Sequence, residues 1–153
     1  MIRIVVADDH EVLRWGLVQA LVQQPDMVVV AEAATSEEAV EVCAQFLPDV
    51  LVLDLSLPRR GGWWVLEQVL ESRPGARVVI LSADDDALTV HTAIVSGAWA
   101  HVSKAEAASG LVAVLRSAAA LGSEGDVAAS ASSDRAGGPQ APGRRGGGTA
   151  GTG

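Results

Sequence analysis

The sequence predicts an α/β fold in which helices cover both faces of a five-stranded parallel sheet. Short apolar runs, rich in Val, Ile and Leu at consecutive positions, are typical of strands that are buried on both faces. They occur at residues 2–7, 27–31, 50–54, 77–82 and 99–102. Helix-like stretches alternate with them at 11–23, 36–46, 63–72, 84–96 and 107–121. This strict alternation is the pattern of a doubly wound sheet.

Apolar residues at helical spacing predict the first two helices. Leu13, Leu17 and Leu21 repeat every four residues, so we expect them to face the sheet. Ser36 is suited to open the second helix and Pro48 to stop it. The apolar face of the second helix is predicted to consist of Ala39, Val40, Cys43 and Leu47.

The third and fourth helices are bounded by turn-forming residues. Pro74 and the following glycine stop the third helix, in which Trp63 is predicted to face inward and Trp64 outward. Asp84 is predicted to cap the fourth helix, and Gly97 to end it.

Length, charge and cysteine content restrict the class of protein. A chain of 153 residues that is 49% hydrophobic is large enough for one well-filled core. Cys43 is the only cysteine, which excludes an internal disulfide and suits a reducing cytosol. A net charge of −8 argues against direct DNA binding by this chain. We find no secretory signal and no apolar run near the roughly 18 residues of a membrane span, so we expect a soluble, cytoplasmic protein.

Composition changes at residue 123. Gly, Ala, Ser and Pro fill residues 123–153, with Val127 as the only sizeable aliphatic residue. Such a stretch cannot bury enough apolar surface to order itself. We predict one domain at residues 1–122 and a disordered tail at 123–153.

Polar residues follow four of the predicted strands. They are Asp8 and Asp9 after the first strand, Asp54 at the end of the third, Ser82 at the end of the fourth and Lys104 after the fifth. Because the carboxyl ends of parallel strands meet at one edge of a sheet, we expect these side chains to share one crevice.

Three clustered carboxylates repel one another unless a cation compensates their charge. Oxygen ligands with water suit Mg²⁺, which commonly bridges to phosphate. Lys104 and Ser82 would then bind phosphoryl oxygens. Asp54, the central carboxylate, is left as a nucleophile that forms an acyl phosphate.

These residues belong to longer motifs. The motifs are Val6-Ala7-Asp8-Asp9-His10, Val52-Leu53-Asp54-Leu55-Ser56-Leu57-Pro58 with Gly62, Ile80-Leu81-Ser82-Ala83, and Ser103-Lys104. With them, residues 1–122 closely resemble the receiver domain of bacterial two-component response regulators. Residues 2–11 look most like the NarL/FixJ subfamily, whose members usually carry a C-terminal helix-turn-helix DNA-binding domain.

The resemblance implies a flavodoxin-like (CheY-like) sheet of order 2-1-3-4-5 and a role for each site residue. Asp54 would accept phosphate from a histidine kinase, with Ser82 and Lys104 binding the phosphoryl group. Mg²⁺ would be held by Asp8, Asp9, Asp54 and the backbone carbonyl of Ser56. Ser82 and His101 would form the switch, His101 standing where the family often has Tyr. Residues 59–61, Arg-Arg-Gly, replace the Gly-Met-Asp that is more usual after the proline.

The resemblance also implies that a helix-turn-helix domain should follow residue 122, where only the Gly-rich segment is found. We therefore expect a truncated or stand-alone relative of LuxR-type transcription regulators. Its predicted function is a phosphorylation switch, not an enzyme beyond weak autophosphatase activity, whose output is homodimerisation or partner binding.

Two alternatives stay open. One is a receiver-like binding module that is not phosphorylated, although all the chemical residues are present. The other is a Mg²⁺-dependent aspartyl phosphohydrolase, although Asp54-Leu55-Ser56 lacks the second acid that such enzymes place two residues after the nucleophile.

Overall fold

The computed structural model describes residues 1–84 and 86–122, in which strands and helices alternate. The strands are β1 (Ile2–Ala7), β2 (Met27–Ala33), β3 (Val50–Asp54), β4 (Arg77–Ser82) and β5 (Ala100–Ser103). The helices are α1 (Glu11–Val22), α2 (Ser36–Phe46), α3 (Gly61–Ser72), α4 (Ala87–Val95) and α5 (Ala107–Gly122), with a 3₁₀ turn at Lys104–Glu106. The predicted alternation is confirmed, and the residues predicted to form the tail lie outside the described residues.

The strands form one parallel sheet of order β2-β1-β3-β4-β5, as predicted. The chain starts at β1, moves outward to β2, and then crosses back to β3 on the other side of β1. The connections after β1 and β3 therefore leave the sheet in opposite directions, and a crevice opens between them at the carboxyl edge.

Each face of the sheet carries its own apolar core. Leu17 and Leu21 of α1 and Leu111 and Leu115 of α5 pack on one face against the inward side chains of β1, β3 and β4. The other face packs against α2 and α3, together with Ala93 of α4. The central strand β3 is buried along its whole length, which explains its unbroken apolar sequence.

The start of α4 differs from the prediction. Asp86 caps this helix by accepting a hydrogen bond from the Thr89 N–H, whereas Asp84 was predicted to do so. Asp84 is engaged in the preceding turn: its N–H donates to Ser82 Oγ, and its carboxylate accepts from the Asp86 N–H. The helix therefore begins later than the sequence pattern indicated.

Two predictions about side-chain direction were also wrong. Leu47 is 52% exposed, because it ends α2 with a φ of 47° instead of continuing the helical face. Trp63 is exposed, while Trp64 is half-buried and packs on the core with the Arg60 guanidinium 4.8 Å from its ring. The buried face of α3 is formed by Gly62, Val65, Leu66 and Val69, and Trp63 does not belong to it. Among the described residues, no helix is long and apolar enough to cross a membrane.

Candidate functional site

The predicted strand-end residues meet at the carboxyl edge of the sheet. Asp54 ends β3 and is 1% exposed, and Asp8 follows β1 and is fully buried. Asp8, exposed Asp9 and Asp54 each offer a carboxylate oxygen, and these oxygens all lie within 4.8 Å of one another. The parallel sheet thus brings the neighbouring Asp8 and Asp9 together with Asp54, which is far from them in the sequence.

Lys104 supplies positive charge to this cluster. Its Nζ lies 3.1 Å from Asp54 Oδ2 and 3.6 Å from Asp8 Oδ2, and its side chain is only 15% exposed. It stands in the 3₁₀ turn directly after β5, where Ser103 Oγ accepts a hydrogen bond from the Ala105 N–H. The short turn after β5 therefore places the ammonium against both buried carboxylates.

Ser56 contacts Asp54 through its side chain as well as its backbone. Its N–H donates to Asp54 Oδ1 at 3.0 Å, and its hydroxyl lies 3.0 Å from Oδ1 and 3.1 Å from Oδ2. The sequence drew attention only to the Ser56 carbonyl. The side-chain contact could have been predicted from the sequence, because Ser56 lies two residues after Asp54. A tight turn at the end of a strand brings a hydroxyl at that spacing back to the carboxylate.

Asp8 is a buried carboxylate whose pKa is raised. Its Oδ1 accepts a hydrogen bond from the His10 N–H at 2.8 Å, while its buried Oδ2 accepts none within the part of the chain that the structure describes. Burial raises the pKa of the Asp8 carboxyl, and the negative charge of Asp54 adds to this, against the His10 hydrogen bond and Lys104. The Lys104 ammonium therefore does not fully compensate the buried carboxylate of Asp8.

These observations fit Mg²⁺. The donor set is made of carboxylate oxygens, it has one exposed member, and it includes a buried oxygen that accepts no hydrogen bond from any described residue. Hard oxygen ligands, with room for water on the exposed side, are the coordination that Mg²⁺ favours.

Arg14 is a part of the site that the sequence did not reveal. From the first turns of α1, its Nη1 donates to the Asp8 carbonyl at 2.5 Å and its Nε to Glu32 Oε1 at 2.9 Å. The arginine joins the loop after β1 to the end of β2 and holds the backbone that carries Asp8 and Asp9. Nothing in the helical spacing of α1 singles it out, because the partner carbonyl is set by loop conformation.

The predicted switch residues lie at the ends of β4 and β5. The Ser82 hydroxyl donates to the Asp84 carbonyl at 2.9 Å and accepts from the Asp84 N–H at 3.0 Å. It is thus bonded to its own loop, and no hydrogen bond joins it to Asp54 in the described residues. His101 is half-buried in β5, paired with Ile80 in the sheet register.

The loop between β3 and α3, residues 55–60, follows directly after Asp54. The Gly62 N–H donates to the Leu55 carbonyl at 3.0 Å, and a Cβ on Gly62 would lie 2.5 Å from Leu55 Cα. Glycine is therefore required there by close approach of two backbones. Arg59, in contrast, has a φ of 76°, a conformation that favours glycine.

Comparison with known proteins agrees with this geometry. Residues 4–116 match the response regulator receiver domain. The chain belongs to the response regulator receiver family. As a receiver of the LuxR/NarL type, its place in two-component signalling is that of a phosphorylation-activated domain.

Three relatives illustrate this type of receiver. The nitrate/nitrite response regulator protein NarL of Escherichia coli K12 is 33% identical over 117 residues, which are 76% of this chain and 54% of NarL. A LuxR-family two-component response regulator from Aurantimonas sp. SI85-9A1 superposes with a TM-score of 0.75 at 30% identity, covering 78% of this chain and 86% of that one. The receiver domain of a NarL from Mycobacterium tuberculosis gives 0.71 at 36% identity, covering 76% and 95%.

The chain spans about half the length of the curated relatives that it matches. The likeness is therefore to the receiver portion of those proteins. Within this receiver, the predicted fold and family are confirmed, and the individual roles of the site residues stay predictions.

Proposed function

We propose that the receiver is switched by phosphorylation of Asp54, with a phosphohistidine of a histidine kinase as the donor. The observation that supports this is the ion pair between Lys104 Nζ and Asp54 Oδ2 at 3.1 Å, inside a cluster of three carboxylates. A buried carboxylate beside an ammonium is a nucleophile whose product, an acyl phosphate, finds a cation already in place.

In this transfer, an Asp54 carboxylate oxygen forms a bond to phosphorus while the phosphorus–nitrogen bond of phosphohistidine breaks. The imidazole nitrogen keeps the electron pair and takes up a proton. Lys104 holds its charge beside the oxygens of the transferred group. Asp8, Asp9, Asp54 and the Ser56 carbonyl would hold Mg²⁺, which when bound neutralises phosphoryl charge.

The same geometry suggests how the switch operates. To donate to a phosphoryl oxygen on Asp54, the Ser82 hydroxyl must give up the hydrogen bond that it donates to the Asp84 carbonyl. The β4–α4 loop then loses a contact that holds its present conformation, and the population of loop states shifts. His101, on the neighbouring strand, would respond to the space that Ser82 leaves. Homodimerisation or partner binding is the output we propose.

Ser56 favours a switch over a phosphohydrolase. Its hydroxyl lies against Asp54 where a hydrolase of this type would place a second acid to protonate the leaving group. We propose no enzymatic role beyond weak hydrolysis of its own acyl phosphate. We also propose a cytoplasmic receiver that does not itself bind DNA, supported by a buried free thiol at Cys43 and a net charge of −8.

The test is the intact mass of the chain after incubation with Mg²⁺ and a small acyl-phosphate donor. The wild type is expected to gain one phosphoryl group, and Asp54→Asn is expected to gain none while keeping the wild-type circular dichroism spectrum. A mutant that still labels would show that the acceptor is misassigned. If neither chain labels, the unphosphorylated binding module becomes the better description.

A further inference from the structure

We propose that Ser36, the first residue of α2, is a positioning residue for the magnesium site. It acts by holding the β3–α3 loop, residues 55–60, in the conformation that presents the Ser56 carbonyl. The proposal rests on the function proposed above, in which that carbonyl is a metal ligand.

Ser36 is fully buried and binds the loop at two points. Its N–H donates to the Pro58 carbonyl at 3.3 Å, and its Oγ accepts from the Arg60 N–H at 2.8 Å. The two contacts lie on either side of Arg59. Through one backbone and one side-chain hydrogen bond, Ser36 therefore bridges α2 to the middle of a loop that is 24 residues away in the sequence.

The bridged residue is in a strained conformation. Arg59 has a φ of 76°, which side chains with a Cβ rarely adopt. A strained backbone persists only where its surroundings hold it. Hydrogen bonds to the residues on both sides of Arg59 are such a restraint, so Ser36 opposes relaxation of the loop.

Nearby charges add less to this restraint. The Ser36 hydroxyl donates to Glu37 Oε1 at 3.0 Å, and Glu37 lies 4.0 Å from the Nε atoms of both Arg59 and Arg60. These arginine side chains are 66% and 61% exposed, so solvent screens the pairs. Ser36→Ala removes the buried hydroxyl with its contacts to Arg60 and Glu37, and leaves the backbone hydrogen bond to Pro58.

The loop transmits this restraint to the site. Ser56 lies two residues before Pro58, and its N–H and hydroxyl bind Asp54. At the far end, Gly62 fixes the loop to Leu55. If residues 58–60 relax, the backbone between these anchors must turn, and the Ser56 carbonyl turns with it. Loss of such supporting contacts around metal ligands commonly lowers metal affinity about tenfold or more.

The experiment compares Ser36→Ala with Thr35→Ala in the full chain. Thr35 caps the same helix by accepting a hydrogen bond from the Glu38 N–H at 3.2 Å, and that contact does not involve the loop. Mg²⁺ alone is titrated without a phosphate donor, and the amide NMR signals of residues 54 and 56 are followed. We expect Ser36→Ala to raise the half-saturating Mg²⁺ concentration about tenfold, and Thr35→Ala to leave it unchanged.

A second substitution separates positioning from general destabilisation. In the double variant Ser36→Ala with Arg59→Gly, glycine adopts the left-handed conformation without restraint. We expect it to recover most of the lost Mg²⁺ affinity. If Ser36→Ala alone does not fold, the double variant is compared with Arg59→Gly, and we expect equal Mg²⁺ affinities because Ser36 then has no left-handed backbone to restrain.

Unchanged Mg²⁺ affinity in Ser36→Ala, an equal loss in Thr35→Ala, or no recovery in the double variant would each overturn the proposal. If the wild type neither binds Mg²⁺ nor labels on Asp54, the proposed function fails first, and this is seen before any variant is compared.

Discussion

Replacement of Gly62 by alanine tests how closely α3 approaches the end of β3. A Cβ at this position would lie 2.5 Å from Leu55 Cα and 2.6 Å from the Asp54 carbonyl oxygen. These are backbone atoms, so no side chain can rotate away. The gap must widen by about 0.9 Å to reach 3.4 Å, where ordinary contact begins.

Such a shift has two energetic consequences. The hydrogen bond from the Gly62 N–H to the Leu55 carbonyl, now 3.0 Å, would be stretched out of range, which costs about 0.5–1.5 kcal/mol. Forcing an extra methyl group into a packed contact costs about 1–3 kcal/mol. We expect Gly62→Ala to lower the free energy of unfolding by about 2–4 kcal/mol.

Urea unfolding of three glycine variants isolates the steric effect. Gly16 is exposed in α1 and a methyl group there would meet no atom within 4 Å, so Gly16→Ala should stabilise by about 0.5–1 kcal/mol. Gly61 also has free space but a φ of 84°, so Gly61→Ala should destabilise by about 1–2 kcal/mol. The steric explanation would be refuted if Gly62→Ala were as stable as Gly61→Ala, or more stable.

The Gly62→Ala variant should also label slowly. The clash lies on the Asp54 carbonyl and on Leu55, so the shift reaches the acceptor and the loop that follows it. Displacement of a reacting group by about 1 Å can reduce a rate on the order of a hundredfold. Labelling at the wild-type rate, measured on the folded fraction, would mean that the site tolerates the movement.

Three further perturbations follow from the site. Arg59→Gly should raise the free energy of unfolding by about 0.5–1 kcal/mol, since relief of the left-handed backbone exceeds the entropy of glycine; a loss of stability in urea would contradict this. Lys104→Ala should impair phosphorylation-dependent dimerisation more than phosphoryl uptake on Asp54, and equal losses would count against the assigned role. Without Mg²⁺ at pH 7, Asp8→Asn should be about 0.5–2 kcal/mol more stable than the wild type. The pKa of the Asp8 carboxyl is raised in the folded chain above its ordinary value of 3.8, which applies to the unfolded chain. Protonation of Asp8 therefore stabilises the fold fully below pH 3.8, and this stabilisation is lost as the pH rises through the raised pKa. The difference between the two chains should therefore shrink toward pH 4, and a difference independent of pH would contradict this cause.

The sequence by itself determined the sheet and the convergence of the site. Unbroken apolar runs such as 50–53 belong to strands with helices on both sides. Their alternation with helical patterns leaves a parallel sheet as the arrangement. Once the sheet is parallel, residues that follow strands must meet at one edge. Asp8, Asp54 and Lys104 could therefore be brought together without knowing any loop.

Only the tertiary structure decided the contacts that loops create. Asp86 and not Asp84 caps α4, because Asp84 is held by Ser82. The left-handed Arg59 and its restraint by Ser36 depend on where the β3–α3 loop passes α2. Local patterns encode which face of an element is buried, since burial follows a fixed period. Hydrogen bonds between loops have no period, so they are fixed only when distant backbone segments pack together.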